Sequence, residues 1–349
     1  MIFRQLFDAK SSTYTYLLAC AETKDAVFID PVFEQVNRDL ALLTELELNL
    51  VAVMDTHCHA DHVTGAWLLN HYTGCKIACA ETIGAENTQT KLKHGDVVEF
   101  GHCHLDVRAT PGHTDGCLTF VSDEMRSAFT GDALLIRGCG RCDFQQGNAA
   151  QLYDSIQQQI FTLPEDFLLY PGHDYSGRTV SSVKEEKQHN TRIGGSASKD
   201  DFVGFMQNMH LPHPKFIDIA LPANLKCGQP ESVPERPNWA PLNLTFAGVH
   251  EVEPQWVLQH RQELTILDVR AASEFQLGHI EGAVHIPLEA LEDYLPQLTN
   301  DKPLVVFCRS GRRSALAVNV MEKAQIDRVA NIKGGLLHWQ ECGLPLTAG

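Results

Sequence analysis

The sequence predicts an α/β protein of two domains, and three observations carry that prediction. Short apolar runs rich in β-branched residues, such as Leu50-Val51-Ala52-Val53-Met54 and Leu304-Val305-Val306-Phe307, read as buried strands. Segments of helical period lie between such runs, as α/β folds require. The stretch Gln229-Pro230-Glu231-Ser232-Val233-Pro234-Glu235-Arg236-Pro237 holds three prolines in nine residues and reads as a semi-extended linker, after which the pattern restarts. A chain of 349 residues is long enough for a core on each side of it.

In chain order, Phe3 to Phe7, Thr13 to Leu18 and Ala26 to Ile29 read as strands, with turn signals at Asp8-Ala9-Lys10-Ser11-Ser12 and Lys24-Asp25. Phe33, Val36, Leu40, Leu43 and Leu46 have helical spacing. The strand at Leu50 leads into Thr56-His57-Cys58-His59-Ala60-Asp61-His62, and a helix starts at Gly65. Leu105, Val107 and Ala109 alternate with polar neighbours in a strand that ends at Thr110-Pro111-Gly112-His113. Leu118 to Val121 and Ser127 to Phe129 are strands, the second ending at Thr130-Gly131-Asp132. Ala149 to Phe161 is helical, and Phe167 to Tyr170 is a strand ending at Pro171-Gly172-His173-Asp174. The polar stretch from Lys184 to Lys199 precedes a short helix from Asp201 to Met209. Beyond the linker, Leu264 to Val269 and Leu304 to Phe307 are strands and Ser314 to Lys323 is a helix.

Three histidines and a carboxylate fall within the six residues from His57 to His62. Buried, each needs a partner; exposed, nothing would hold them together. A divalent first-row metal supplies the partner, because neutral imidazole and carboxylate are its ligands. His57, His113, Asp132 and His173 each follow an apolar run, which points to four strand ends converging at one sheet edge. Three of them follow a glycine, which lets the backbone turn sharply there.

A second cluster lies at Cys308-Arg309-Ser310-Gly311-Arg312-Arg313-Ser314, between a strand and a helix start. Unpaired backbone N–H groups and the helix N-terminus favour the thiolate there, and the arginines attract anions. A phosphatase loop of the C-x5-R type needs arginine where this chain has Ser314; here arginine comes one residue earlier.

The formal net charge of −16 argues against nucleic acid and acidic membrane as partners. No apolar run approaches the ~20 residues of a membrane span. The eleven cysteines form no framework and no signal peptide is visible, which predicts a cytoplasmic protein in a reducing compartment. The sequence is also compatible with a homodimer.

The histidine motif followed by His113, Asp132 and His173 resembles the metallo-β-lactamase superfamily, which implies an αββα sandwich with metal at one edge of its sheets. The runs Gly131 to Arg141, Asp143-Phe144-Gln145, Pro171 to Tyr175 and Leu221-Pro222-Ala223-Asn224 are similar to the persulfide dioxygenase branch. That resemblance implies one Fe(II) per chain on His57, His113 and Asp132. His59, Asp61, His62 and His173 would then orient ligands and waters around it. It implies O2 and glutathione persulfide as substrates, with Arg137 and Arg141 placed to receive glutathione carboxylates. The plain alternative for each arginine is a loop salt bridge. The same seven metal-site residues could instead hold two zinc ions, as in glyoxalase II. Cys142 stands where the branch usually has threonine, making Cys139-Gly140-Arg141-Cys142 a C-x-x-C spacing.

The loop after Cys308 resembles that of rhodanese, supported by Ile266 to Arg270, Glu274-Phe275, Gly278 to Ala283 and Gly334-Gly335-Leu336 with Trp339. The resemblance implies Cys308 as a persulfide-carrying nucleophile, with Arg309, Ser310, Gly311, Arg312 and Arg313 cradling the sulfur. It also implies transfer between thiosulfate or sulfite and glutathione. The expected domains are 1–229, a linker at 230–247, and 248–349. The reading is a bifunctional sulfur enzyme. Its rivals are a zinc thioester hydrolase with a rhodanese module and a sulfur carrier or sensor with an inactive metal site.

Overall fold

The structure, a computed structural model, describes residues 1–209, 211–213, 215–233, 235–298 and 301–347. It divides into two units, Met1–Val233 and Pro234–Gly349. The division falls inside the proline-rich stretch; Pro234 itself lies outside the described residues.

The first unit holds two six-stranded sheets. One runs in chain order through β1 (Ile2–Asp8), β2 (Thr13–Ala19), β3 (Asp25–Ile29), β4 (Asn49–Met54), β5 (Lys76–Ala80) and β6 (Thr90–Leu92). It is antiparallel through β3 and parallel from β3 onward. The other comprises β7 (Val97–Phe100), β8 (Cys103–Ala109), β9 (Leu118–Ser122), β10 (Ser127–Gly131), β11 (Leu168–Pro171) and β12 (Ser181–Ser182). Tyr16, Leu18 and Val27 of the first sheet share one apolar core with Leu105, Phe120 and Phe129 of the second. The alternate residues Leu17, Ala19 and Phe28 face away, onto helices Val36–Glu45 and Ala66–Thr73. The second sheet's far face packs on helices Ala149–Ser155 and Lys199–Gln207 through Leu152, Phe202 and Met206. The period of two therefore sends each strand's apolar residues to two cores, giving helix, sheet, sheet and helix layers.

The four strand ends that carry predicted metal-site residues come from both sheets rather than from one. His57 follows β4 in the first sheet, while His113, Asp132 and His173 follow β8, β10 and β11 in the second. Gly131 has φ of 50°, and a Cβ there would stand 2.5 Å from Thr56 Oγ1, so glycine lets the two sheets meet at this point.

The second unit holds one sheet in the order β13 (Asn243–Leu244), β14 (His250–Val252), β18 (Val329–Ile332), β17 (Leu304–Phe307), β15 (Thr265–Asp268), β16 (Val284–His285). All its pairings are parallel except that of β13 with β14. Val305 and Phe307 point to one core and Leu304 and Val306 to the other. Asn243–Leu244 falls in the stretch assigned to the linker, yet it is a strand. Trp239, Ala240 and Leu242 before it pack on the second unit's core, so only the proline-rich part lacks apolar anchors. Among the described residues no helix is long and apolar enough to cross a membrane.

Candidate functional site

The loop after β4 is held from below by Asp30, at the end of β3. The fully buried Asp30 carboxylate accepts from the Thr56 N–H at 2.6 Å and the Thr56 hydroxyl at 2.8 Å. It also lies 3.1 Å from His59 Nε2. From above, the Asn224 amide donates to the His59 and His62 carbonyls, both at 2.9 Å, and its oxygen accepts from the Thr64 N–H. Both anchors were missed by sequence reasoning. Asn224 sits in the quoted Leu221-Pro222-Ala223-Asn224 run, but nothing in that run marks the direction of its amide. Asp30 was visible only as a carboxylate ending an apolar run, the same signal that singled out Asp132.

All seven predicted metal-site residues come together. One donor atom each from His57, His113 and Asp132 lie within 4.8 Å of one another, and so do those of His59, Asp61, His62 and His173. Hydrogen bonds sort the donor atoms. With its hydroxyl proton on Asp30, Thr56 Oγ1 accepts from His57 Nδ1 at 2.9 Å, which leaves His57 Nε2 with a lone pair. His113 Nδ1 donates to the Arg141 carbonyl at 2.6 Å, which leaves its Nε2, 3.8 Å from Asp132 Oδ2. Asp132 Oδ1 accepts from His173 Nδ1 at 2.7 Å, leaving Oδ2. Gly140 makes the Arg141 contact possible: a Cβ there would stand 2.6 Å from His113 Nδ1.

Burial pushes the His57 and His113 imidazoles down, so both rings are neutral and able to ligate. Burial opposes charge on Asp132, but His173, His57 and His113 outweigh it and hold the carboxyl below the usual carboxylate range. This set of two neutral imidazoles and one carboxylate, each fixed by a partner on its far side, fits a divalent metal with open positions.

The other cluster is bonded in part within itself, while His59 Nδ1 and His62 Nε2 have no hydrogen-bond partner among the described residues. Asp61 Oδ2 accepts from His62 Nδ1 and His173 Nε2, both at 2.9 Å. Burial opposes charge on His173, yet Asp132 and Asp61 on its two sides raise it well above the usual imidazole value. A cleft of about 430 Å³ opens over these groups, lined among others by His57, His113, Asp132, Arg137, Arg141, Phe144, Tyr175 and Arg192.

Arg137 and Arg141 both line this cleft, and both are already paired. Arg137 meets the buried Glu186, Ser181 at 3.2 Å and Glu185 at 3.4 Å. Arg141 forms a two-point pair with Asp143, at 2.6 and 2.5 Å, and donates to the Pro212 carbonyl at 2.7 Å. Cys139 is buried and Cys142 half-buried, and both thiols are free. Burial pushes Cys139 up to about 11, so neither is poised as a nucleophile.

In the second unit Cys308 ends β17 and the helix Arg312–Lys323 begins four residues on. Burial works against its thiolate, but hydrogen bonds from the Ser314 hydroxyl and from the N–H groups of Ser314, Ser310 and Arg313 prevail and lower it. The Ser314 Oγ lies 3.4 Å from the sulfur. Gly311, with φ of 85°, turns the loop so that these amides face inward. Arg313 is held by Glu274 at 2.7 and 2.8 Å, while Arg309, Ser310 and Arg312 are exposed.

Comparison with known proteins agrees with this geometry. The metallo-beta-lactamase superfamily model matches residues 10–173, and the rhodanese-like domain model matches residues 253–342. Mitochondrial persulfide dioxygenase ETHE1 of Homo sapiens is 50% identical over 229 residues, covering 65% of this chain and 89% of that protein. The crystal structure of ETHE1 from Myxococcus xanthus matches with TM-score 0.64 and 52% identity, over 66% of this chain and 100% of that one. A metallo-beta-lactamase structure from Staphylococcus aureus shares the fold at TM-score 0.61 and 22% identity, over 96% of this chain and 97% of that one. Half-identity across nearly the full length of such relatives leaves one conclusion: the chain belongs to the ETHE1 persulfide dioxygenase family of the metallo-beta-lactamase superfamily and carries a rhodanese-like domain at its C-terminal end.

Proposed function

We propose that the chain is an iron-dependent persulfide dioxygenase joined to a sulfurtransferase. The first unit converts glutathione persulfide, O2 and water to glutathione and sulfite. The observation that carries this reading is that His57, His113 and Asp132 line the cleft together, each with one ligating atom left over after its other atom is fixed by a partner. One Fe(II) per chain, held by these three, would supply the O2 chemistry that no side chain provides. The residues of the chain do the rest. Thr56 and the Arg141 carbonyl fix the two ring tautomers, and His173 holds Asp132 ionised. Phe144 stacks edge-on to His113 at 6.3 Å and shields one side of the cleft from water. Arg141 exchanges its exposed partner Asp143 for a substrate carboxylate, and Arg137 exchanges the half-exposed Glu185 while Glu186 keeps it in place.

In the second unit Cys308 moves sulfane sulfur between thiosulfate or sulfite and glutathione. Its thiolate takes the outer sulfur of thiosulfate and releases sulfite. The resulting persulfide sits among the loop amides until a glutathione thiolate removes the sulfur as glutathione persulfide. Every step is reversible. Joining the two units raises the local concentration of the persulfide they share. The exposed Arg309 and Arg312 attract the anionic partners to the loop. The eleven free thiols suit a reducing cytosol.

The test is metal content together with oxygen uptake. About one iron per chain and uptake dependent on glutathione persulfide are expected. Two zinc ions per chain, thioester hydrolysis and no such uptake would refute the reading.

A further inference from the structure

Strand β18 carries one polar side chain among apolar ones. Asn331 is 1% exposed and lies on the face that Val329 packs against the helix Arg312–Lys323. Its amide nitrogen donates to the Glu251 carboxylate of neighbouring β14 at 2.8 Å and to the Gly311 carbonyl at 3.3 Å. Its amide oxygen has no hydrogen-bond partner among the described residues. Both neighbours are acceptors, so turning the amide over would set oxygen against oxygen. A buried amide with one end orphaned is costly. The end that is kept paired is the one that donates to the Cys308 loop.

The Gly311 carbonyl is where the donors of that loop compete. It accepts from the Ala315 N–H at 3.0 Å and from Asn331, and it lies 3.1 Å from the Ser314 hydroxyl. A carbonyl oxygen has two lone pairs, and the Ala315 N–H and the Asn331 amide fill both. The Ser314 hydroxyl has one proton and a second acceptor in reach, the Cys308 sulfur at 3.4 Å. With the carbonyl full, the proton goes to sulfur. Burial works against the Cys308 thiolate, and the Ser314 hydroxyl leads the donors that offset it.

The charged groups around the sulfur stay in place whichever way that hydroxyl points. Arg313 meets Glu274 at 2.7 and 2.8 Å, Arg270 meets Asp268 at 2.6 Å, and His338 meets Glu341 at 3.2 Å. Arg309 and Arg312 are exposed, and Glu251 holds the far side of Asn331. The direction of one proton is therefore what Asn331 controls.

We propose that Asn331 is a positioning residue of the sulfur-transfer loop: its amide occupies the Gly311 carbonyl and so aims the Ser314 hydroxyl at the Cys308 sulfur. The inference rests on Cys308 being the sulfur-carrying nucleophile. The O–H···S bond favours the thiolate as it attacks the outer sulfur of thiosulfate, and again as it is expelled when glutathione removes that sulfur.

The test reads the Cys308 thiolate by ultraviolet absorbance of the full-length chain titrated with base, with the curve of Cys308→Ser subtracted. Asn331→Leu frees one lone pair of the carbonyl, and the hydroxyl turns to it. The midpoint should then rise by about one pH unit, the tenfold that one hydrogen bond to an anion carries. Below that midpoint kcat for transfer from thiosulfate should fall about tenfold and recover above it, with KM for thiosulfate unchanged. Ser314→Ala should raise the midpoint as much. Adding Asn331→Leu should raise it no further, because both act through one proton. A merely structural asparagine would add its effect to that of Ser314→Ala, and such additivity would overturn the proposal. So would an unmoved midpoint in Asn331→Leu, or in Ser314→Ala, which keeps the buried amide and decides the matter should Asn331→Leu not fold. An unaltered chain that takes no sulfur from thiosulfate would refute the proposed function instead, and the midpoints would still decide the role of Asn331.

Discussion

Removal of the Asp30 carboxylate should loosen the metal centre without touching a ligand. Asp30→Ala leaves three buried donors without their acceptor: the Thr56 N–H, the Thr56 hydroxyl and His59 Nε2. Burial works against charge on His59, and Asp30 more than offsets it, raising the ring to about 8; that cation loses its counter-ion. A hydrogen bond to a charged group is worth ~1.5–3 kcal/mol, and breaking a buried ion pair costs ~3–5 kcal/mol. These terms describe overlapping contacts, so the sum is not additive and a loss of about 4 kcal/mol is expected. Against a total of ~5–15 kcal/mol that is a large fraction. Because Thr56 Oγ1 also sets the His57 tautomer, metal affinity should fall by ~10–100-fold. Asp30→Asn keeps an acceptor for the Thr56 N–H and should lose about half as much stability. Urea unfolding of the metal-free proteins gives the first quantity, and titration of the loaded proteins with a chelator gives the second. An Asp30→Ala protein within ~0.5 kcal/mol of the parent, with an unchanged chelator titration, would show that Asp30 does not hold this loop.

Three further outcomes follow from the same structure. Cys308→Ser should abolish sulfur transfer from thiosulfate to glutathione and leave oxygen uptake with ready-made glutathione persulfide near normal; loss of both in a folded, metal-loaded variant would show that the sites are chemically coupled. Arg141→Ala should raise KM for glutathione persulfide roughly tenfold to a hundredfold, the worth of a charge-assisted contact, with Arg141→Lys restoring only part of it; steady-state oxygen uptake reads this, and unchanged constants would leave Arg141 as a structural partner of Asp143 and the Pro212 carbonyl with no part in substrate binding. The Arg313 hydrogen bond holds Glu274 down from 4.5 to about 2, so its contribution is complete above the unfolded value and is lost as pH falls through that window. The pair is partly exposed, so roughly 1–2 kcal/mol should vanish between about pH 4.5 and 2. An acid unfolding curve that is the same for Arg313→Gln would contradict this.

The residues of the candidate metal site were legible in the sequence because each breaks a local rule. A histidine or carboxylate directly after an apolar run has no reason to be there unless something outside the run needs it. The same holds for Cys308, which ends a strand of four apolar residues and precedes a helix. Strands β5, β6 and β7 were missed because they are short and interrupted by polar residues such as Lys76 and Lys91, and become strands only by pairing with neighbours already in place. Helix Ile217–Asn224 was hidden by Pro222 inside it. Asn243–Leu244 is too short to show a period of two, and only its partner β14 makes it a strand. The hydrogen bonds that sort the ligands were illegible for a different reason. Asp30 and Thr56 are 26 residues apart, and so distant a pairing leaves no spacing to read.

Those same bonds bear on the proposal of one metal rather than two. A two-metal site needs free donor atoms on His59, Asp61, His62 and His173 together with the first three residues. His59 Nδ1 and His62 Nε2 have no hydrogen-bond partner among the described residues and meet that need, but the Asp61 oxygen Oδ2 is shared by two imidazoles. His173 has a carboxylate on each ring nitrogen, and a ring flanked in that way is a cation, which cannot ligate. A second metal would have to displace a proton from His173 and separate Asp61 from both partners at once. It would also place a second positive charge beside Asp132, whose charge His173 already balances. At the first position no such exchange is needed, because the His57 and His113 rings are neutral and their far nitrogens already bonded. Filling a second position thus requires two exchanges that the first does not, at His173 and at Asp61, and this difference supports the one-metal reading proposed above.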